Sequence, residues 1–321
     1  MQYRSGVDTN WDDEMQVWRR LARTAGADQR RALAADALGA VAGEDPLAEP
    51  VSGRWVIAGD VHANAHYVTT LIDKVAEAGL DRLVVLGDVA GTLPDRTEGF
   101  LDWVSYACHQ NDVTVLWLDG NHDPHLDGVL DRCPIDPRTG TRPVRPRVHH
   151  LPRGLRWTWG TTRYAVAGGA VSVDRAMRTE GQTVFTLAEE LTESQVEQIS
   201  ADGPCDVLLS HDRPAWVEAA LGETPGAWWL KVPGQWAEGD FYRSQAHQER
   251  LDRLVAALRP SWHLHGHLHR RYDVLSSATP WGGPCLMTGL ANEGQPYANR
   301  IITSTQPDLT DLQTVPRQEL R

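Results

Sequence analysis

Residues 54 to 123 alternate between short apolar runs and stretches with the three- and four-residue spacing of an amphipathic helix. The three apolar runs occupy residues 55–58, 83–86 and 113–118. Continuous apolar runs of this length are typical of strands buried on both faces of a sheet, and helices between them are typical of right-handed crossovers. The pattern therefore predicts an α/β fold with a parallel sheet in this part of the chain.

A second, more antiparallel sheet is predicted after residue 150. Its strands are expected at about 156–158, 163–167 and 206–211, with helices at about 188–200 and 246–258. We interpret the Trp-rich stretch 212–245 as a long loop packed by its own aromatic side chains. The last 15 or so residues are polar, and we expect them to be frayed.

The start of the chain is predicted to be a helical extension, because apolar residues recur at helical spacing over residues 11–43. Its arginines could form a nucleic-acid-binding helix, but nearby acidic residues favour an ordinary solvated face. The predicted organisation is therefore an extension at 1–50, a main domain at 51–305 and a polar tail at 306–321.

Composition narrows the class of protein. The chain has 321 residues, a formal net charge of −12 and 41% hydrophobic residues, enough for a substantial core. The acidic balance argues against binding nucleic acid by bulk charge, although it allows a local basic groove. Four widely spaced cysteines, no secretory signal and no long apolar run predict a cytoplasmic protein that does not bind membranes.

Metal-ligating residue types follow the predicted strands at the points where they end. They form five clusters, namely Asp60-x-His62, Asp88, Asn121-His122-Asp123, His211 and His267-x-His269. The carboxyl ends of parallel strands meet at one edge of a sheet, where ligands bind in open α/β folds. Seven or eight mixed carboxylate, imidazole and amide ligands exceed what one ion needs and suit two first-row cations that share a carboxylate.

These five clusters, in this order, resemble the motifs of the calcineurin-like metallophosphoesterase family over residues 55–290. The resemblance implies a four-layer α/β/β/α sandwich that carries two divalent metal ions, with Mn²⁺, Fe²⁺/Fe³⁺ or Zn²⁺ expected. It implies that one ion is held by Asp60, His62 and His269, the other by Asn121, His211 and His267, and that Asp88 bridges them. His122 would be the catalytic histidine, oriented by Asp123.

A weaker similarity points to a branch of predicted bacterial and phage phosphoesterases. It rests on the stretch from Gly168 to Asp174 and the arginines that follow it.

The reaction expected of such a centre is hydrolysis of a phosphoric ester. Two cations would lower the pKa of a shared water toward about 7, giving a hydroxide nucleophile, and would offset the charge on the phosphoryl oxygens. His122 could either protonate the leaving oxygen or stabilise equatorial charge.

Departures from the family pattern bear on the substrate. Gly87-Asp88 is not followed by the arginine that protein Ser/Thr phosphatases carry, and the third motif ends in Asp123 rather than Glu. We therefore expect a phosphodiester or a nucleotide, with nucleic acid included. The alternatives are a phosphomonoesterase of a small metabolite and a non-catalytic, metal-bound scaffold.

Further contacts are predicted around the centre. Candidate substrate-binding residues are His125, Arg175, Arg178 and Arg213. A basic rim could form from Arg138, Arg142, Arg145 and Arg147, although a solvated loop is equally ordinary. Protein partners could bind the N-terminal helices or the 212–245 loop. We expect His263 to pack in the core and His265 to lie just behind the metal ligands.

Overall fold

The computed structural model describes residues 45–89, 94–123, 130, 133–175, 187–222, 237–313, 315 and 317–320. The helices predicted over residues 11–43 lie outside this part of the chain. Thirteen described strands form two sheets: β1 (Arg54–Ala58), β2 (Arg82–Val85), β3 (Thr114–Trp117), β4 (Arg142–Arg145), β5 (Val148–His150), β6 (Arg156–Trp159), β7 (Thr162–Ala167), β8 (Val207–Ser210), β9 (Trp262–His265), β10 (Tyr272–Ser276), β11 (Cys285–Gly289), β12 (Arg300–Ser304) and β13 (Gln318–Glu319).

The described helices are α1 (Ala65–Glu77), α2 (Pro94–Asn111), α3 (Glu193–Ala201), α4 (Val217–Ala220) and α5 (Glu238–Leu258), with a 3₁₀ helix at Leu187–Glu189. Helix α1 begins at a side-chain cap, since Asn64 accepts a hydrogen bond from the Tyr67 amide. Helix α3 begins at a capping box between Thr192 and Gln195.

The first sheet has the strand order β13-β12-β1-β2-β3-β5-β4. The central strands β1, β2 and β3 are parallel, which confirms the predicted crossover rhythm. Along β1 the side chains alternate: Val56 and Ala58 pack toward α1 and α2, whereas Trp55 and Ile57 pack toward the second sheet. Both faces are buried, which explains the continuous apolar run.

The second sheet has the order β10-β11-β9-β8-β7-β6. Strands β7, β8, β9 and β11 are parallel to one another, and the outer pairs β6–β7 and β10–β11 are antiparallel, so this sheet is less antiparallel than predicted. One face packs against the first sheet through Leu209 and Leu264. The other packs against α3 and α5 through Leu208 and Leu254. The predicted four-layer α/β/β/α sandwich is thereby confirmed.

Two sequence predictions are corrected here. The stretch 212–245 is not one long loop, because its described residues include α4 and the first turns of α5, whereas 223–236 lie outside the described residues. The end of the chain is not frayed, because β13 pairs with β12 and Leu312, Val315 and Leu320 are buried. Apolar residues spaced through a polar sequence were sufficient to anchor it.

The arginine-rich stretch after residue 131 also differs from the predicted rim. Arg142 and Arg145 lie in β4 at the edge of the first sheet. Arg145 is paired with Asp102 and Arg147 with Asp112, while Arg138 pairs with Asp136. Arg142 donates to the carbonyls of Leu130 and Cys133. Each guanidinium therefore has a structural partner.

No helix in the described ranges is both long and apolar enough to cross a membrane.

Candidate metal centre

The five sequence clusters meet in space. Their side chains form three groups whose ligand atoms lie within 4.8 Å of one another: Asp60, His62 and His269; His62, Asp88 and His122; and Asp88, His211 and His267. The first sheet supplies the residues that follow β1, β2 and β3. The second sheet supplies those that follow β8 and β9. The site lies where the carboxyl ends of these strands meet between the two sheets, which is the edge at which the sequence predicted ligand binding.

Asp88 stands between two sets of donors. Its Oδ2 lies 3.5 Å from His62 Nε2, and its Oδ1 lies 3.3 Å from His211 Nε2. The Oδ1 atom also accepts a hydrogen bond from the His122 amide at 2.8 Å. One carboxylate therefore presents a separate oxygen to each side of the site, an arrangement in which a carboxylate can bridge two cations.

Hydrogen bonds fix which ring nitrogen of two histidines faces the centre. His62 Nδ1 lies 2.9 Å from Glu293 Oε2, and His211 Nδ1 lies 2.7 Å from the Leu86 carbonyl oxygen. Neither oxygen carries a proton to give, so each Nδ1 is the donor. In the neutral ring, Nε2 then keeps a lone pair toward Asp88, which is the tautomer that a metal ligand requires.

The two carboxylate oxygens of Asp60 also have different partners. Its Oδ1 accepts the amide of His267 at 2.9 Å. Its Oδ2 is buried without a hydrogen bond and lies 3.1 Å from His269 Nε2. A buried carboxylate oxygen left in this way is costly unless a cation completes its environment. The donor set thus fits divalent cations.

Asn121 is held by a chain of buried groups. Its Nδ2 donates to Ser172 Oγ at 3.0 Å, and Ser172 Oγ donates to Glu189 Oε2 at 2.7 Å. Because Nδ2 is engaged there, Asn121 Oδ1 faces the centre, 3.1 Å from His211 Nε2. An amide oxygen in this position can serve as a metal ligand.

The electrostatics of the site favour an ionised Asp88 and a protonated His62 but keep His267 neutral. Burial opposes ionisation of Asp88, but His122 and His211 outweigh it and hold the pKa of Asp88 well below its usual value. Burial likewise opposes protonation of His62, but Asp88 and Glu293 raise its pKa to about 11. Burial lowers the pKa of His267 to about 4. A metal ion that binds His62 would displace a proton from that ring, whereas His267 is already neutral.

The backbone carries conformational strain at the ligands themselves. Four of them have positive φ, namely His62 at 43°, Asp88 at 49°, His267 at 63° and His269 at 52°. Non-glycine residues seldom occupy this left-handed region, and strain of this kind clusters at functional sites. The tight turns allow successive side chains to point into one small volume.

In the third motif the His122 side chain is partly exposed, whereas Asp123 is buried. The His122 ring stands edge-on to His62 at a centroid distance of 5.2 Å, with 14% of its side chain exposed. Asp123 is buried, and its Oδ2 accepts the amides of Gly120 and Val89. Asp123 thereby stabilises the turn that carries His122. Its predicted role in orienting the His122 ring stays a prediction.

The predicted substrate contacts fare differently. Arg213 is 1% exposed and is paired with Glu218, which argues against its predicted contact with a phosphate. Arg175 is half-buried in the turn that follows Ser172, and its predicted substrate contact stays a prediction. His125 and Arg178 lie outside the described residues.

Several other buried histidines have structural partners. His263 lies in the core with its Nε2 2.6 Å from Ser210 Oγ, as expected. His265 is bonded to the Tyr272 hydroxyl, directly behind the strand end that carries His267. His247 pairs with Asp212 at 3.0 Å, next to His211.

Sequence reasoning missed the residues that contact the ligands from behind. Glu293, Asn292, Ser172 and Glu189 were not singled out. A signal did exist for the first two, because they follow the apolar run Cys285–Gly289, which is a strand of the same edge. The rule that identified the metal ligands would also have found them.

Comparison with solved structures finds distant likenesses. One is TT1561 of Thermus thermophilus, with a TM-score of 0.47 and 11% sequence identity, over 84% of this chain and 99% of that one. Another is a dimetal phosphatase from Danio rerio, with a TM-score of 0.45 and 10% identity, over 78% of this chain and 92% of that one. A third is an archaeal phosphodiesterase, with a TM-score of 0.37 and 8% identity, over 83% of this chain and 98% of that one. At these scores the likenesses carry no argument about what this chain hydrolyses.

No curated protein sequence gives a significant match. The model of one family, calcineurin-like phosphoesterase, matches residues 53–271, which is more than half of the chain and includes every candidate metal ligand. On that match the chain belongs to the calcineurin-like phosphoesterase family and is a metallophosphoesterase, a hydrolase of ester bonds.

Proposed function

We propose that this chain hydrolyses phosphodiesters, nucleotides or nucleic acid among them, by attack of water at a centre of two divalent metal ions. The observation that carries the proposal is the placement of Asp88, whose two oxygens lie 3.5 Å from His62 and 3.3 Å from His211. A carboxylate shared in this way is the feature that separates a two-metal site from two isolated ones.

The ligands divide into two subsites on either side of Asp88. The first subsite comprises Asp60, His62 and His269, and the second comprises Asn121, His211 and His267. Bound there, two ions, for which we favour Mn²⁺, Fe²⁺/Fe³⁺ or Zn²⁺, would lower the pKa of water toward about 7 and offset phosphoryl charge. The protein engages Nδ1 of His62 and of His211 in hydrogen bonds, which leaves Nε2 of each ring for the ions.

His122 is the proposed catalytic residue beside the metal ligands. Its backbone amide donates a hydrogen bond to Asp88, and its ring is partly exposed. The ring is therefore accessible to substrate while the backbone is held beside the metal ligands. From there it can give a proton to the leaving oxygen or stabilise charge on the phosphoryl group.

A diester is favoured over a monoester because of charge. A phosphomonoester is largely a dianion at neutral pH and calls for additional cationic groups, whereas a diester carries a single negative charge. The second motif lacks an arginine after Asp88. The four arginines at 138, 142, 145 and 147 are engaged elsewhere.

We also propose that the protein works in the cytoplasm, because all four cysteines are free and buried, as in proteins of reducing compartments.

The test is hydrolysis of bis-p-nitrophenyl phosphate and p-nitrophenyl phosphate by metal-stripped protein reloaded with Mn²⁺. We expect the diester to be cleaved faster and Asp88→Asn to lose activity by at least about 100-fold, since the bridge loses its charge. Faster cleavage of the monoester would indicate a phosphomonoesterase. Two bound ions without turnover of either substrate would leave a selective enzyme or a scaffold, and a protein that binds no metal would contradict the proposal.

A further inference from the structure

The segment 291–299 lies between β11 and β12, beyond the last residue that the family model matches. We call it the outer loop. Its start follows β11, which is parallel to β9 and therefore ends at the same edge of the second sheet as the His267 motif. Its end leads into β12, which pairs with β1 in the first sheet. The outer loop thus crosses from one sheet to the other beside the metal centre.

The outer loop contacts both histidines of the first subsite. Glu293 Oε2 lies 2.9 Å from His62 Nδ1. The side-chain amide of Asn292 is hydrogen-bonded to His269 Nδ1 at 3.1 Å, and Gln295 Nε2 donates to the His269 carbonyl at 3.0 Å. The contacts of Glu293 and Asn292 engage Nδ1 of each imidazole, whereas Nε2 of each ring is directed toward Asp60.

The same loop also holds the third ligand of that subsite. The amide of Glu293 donates to the Asp60 carbonyl at 3.0 Å, and Asn299 Nδ2 donates to it at 3.1 Å. Asn299 is fully buried, and its carbonyl accepts the amide of Gly59. All three ligands of the first subsite are therefore tied to one segment.

From these contacts we infer that Glu293 is a positioning residue for metal binding, which acts through His62 to hold the ion of the first subsite. The inference rests on the proposed function, since it requires an ion between Asp60, His62 and His269. Glu293 accepts the Nδ1 proton of His62, which keeps the Nε2 lone pair directed at the ion and makes that nitrogen a stronger donor. The second subsite receives no such help from Glu293, because His211 is oriented by the Leu86 carbonyl.

The negative charge and the hydrogen bond of Glu293 make separable contributions. Glu293→Gln keeps an oxygen that can accept the Nδ1 proton but removes the charge, whereas Glu293→Ala removes both. Loss of an outer-shell partner of a metal-binding histidine typically costs about 10- to 100-fold in metal affinity. We therefore expect a graded loss, with Glu293→Ala weaker than Glu293→Gln and both weaker than the unaltered protein.

The experiment is calorimetric titration of the metal-stripped full chain with Mn²⁺ alone, with no substrate and no activity measurement. The unaltered protein should bind two ions. In Glu293→Ala one ion should bind about 10- to 100-fold more weakly, and the other should keep its affinity within about twofold. Gln295→Ala is the matched control, because it removes a contact of the same loop that reaches only the backbone of His269, and both ions should keep their affinities.

A double substitution tests whether Glu293 acts through His62. In a His62→Ala background, Glu293→Ala should change the remaining Mn²⁺ affinity by less than about twofold, because its partner is already absent. Thermal unfolding of each metal-free variant verifies that it is folded. Variants that unfold would be replaced by Glu293→Gln, which preserves the shape of the side chain.

The outcomes separate the inference from the function on which it rests. If the unaltered protein binds fewer than two ions, the proposed two-metal function fails and the inference fails with it. If two ions bind but Glu293→Ala leaves both affinities unchanged, the inference alone is overturned. Equal weakening of both ions, or a loss as large in Gln295→Ala, would also overturn it, since either result would assign the effect to the loop as a whole.

Discussion

At the scale of single residues, two glycines lie so close to the proposed metal ligands that no side chain would fit at either position. Gly120 approaches Asp88 and His211 so closely that an added Cβ would lie 2.2 Å from Asp88 Oδ1 and 2.7 Å from His211 Nε2. Gly87 has φ of 95°, and an added Cβ would lie 2.3 Å from His211 Nδ1. These glycines permit the close approach of the bridging carboxylate and the second subsite.

Gly120→Ala should therefore abolish metal-dependent activity, because the added Cβ would lie 2.4 Å from the Asp88 backbone nitrogen as well as against its carboxylate. The methyl group would displace the Asp88 carboxylate, and we expect a loss of at least about 100-fold in kcat/KM together with weaker Mn²⁺ binding. Gly99→Ala is the control, because Gly99 lies in α2 with no atom within 4 Å of an added Cβ. Normal activity in Gly120→Ala would show that the bridge does not depend on this approach.

The sequence could predict only those site residues whose chemical type by itself indicates a metal ligand. Asp60, His62 and the other ligands could be identified because they are ligand types placed directly after apolar strands. The burial of Arg213 and its pairing with Glu218 could not be predicted, because they depend on a contact that no spacing encodes. Ser172 and Glu189 are likewise ordinary polar residues until the fold brings them to Asn121.

At the scale of elements, the strands that were predicted have more accurate bounds than the helices, although the strands β4, β5 and β10 to β13 were not predicted. The strands predicted at 55–58 and 163–167 agree with β1 and β7 to within one residue. Helix α5 begins eight residues earlier than predicted, at Glu238. Its added turns lack a strong apolar period and are held by tertiary contacts, such as the ion pair between Arg243 and Glu190.

Asp252 on α5 is a test of how helix packing depends on pH. Burial raises its pKa to about 6, although the amides of Trp216 and Ala215 partly oppose the shift. The folded protein keeps this proton to higher pH than the unfolded chain does. Asp252 therefore destabilises the fold increasingly as the pH rises from about 4 to about 6, and the cost persists above that.

Asp252→Asn should accordingly raise the melting temperature at pH 8 by about 1–2 °C and have little effect near pH 4. Thermal unfolding of the metal-free protein across this pH range measures the difference. Glu197→Gln, at an exposed position of α3, should change the melting temperature equally little at both pH values. A gain that does not depend on pH would contradict the assignment to Asp252.

At the scale of the whole molecule, the centre joins two sheets that otherwise meet through an apolar interface. The interface includes Trp55, Trp159 and Tyr164, which pack edge-on at centroid distances of 5.0 to 5.7 Å. At the carboxyl edge the apolar contact gives way to Asp60 and Asp88 from one sheet and His211 and His267 from the other. Metal ions bound between them would link the sheets.

Divalent metal should therefore stabilise the whole fold against heat. Ligands that bind only the folded state stabilise it by about 2.7 kcal/mol per site at 100 times Kd, so we expect Mn²⁺ to raise the melting temperature by about 5 °C or more. Differential scanning fluorimetry of stripped and reloaded protein measures the rise, which should be much smaller in Asp88→Asn. An unchanged melting temperature in the unaltered protein would argue against ions held between the sheets.

The left-handed backbone at His62, Asp88, His267 and His269 also restricts how this centre can evolve. At φ of 43° to 63° the residues that enter with least strain are glycine, asparagine, aspartate and histidine. A lineage that exchanged one of these ligands for cysteine or glutamate would meet a backbone penalty before any effect on metal preference. Neutral drift at these four positions is therefore channelled toward oxygen and nitrogen donors, and conversion into a thiolate site would require the turns to be rebuilt first.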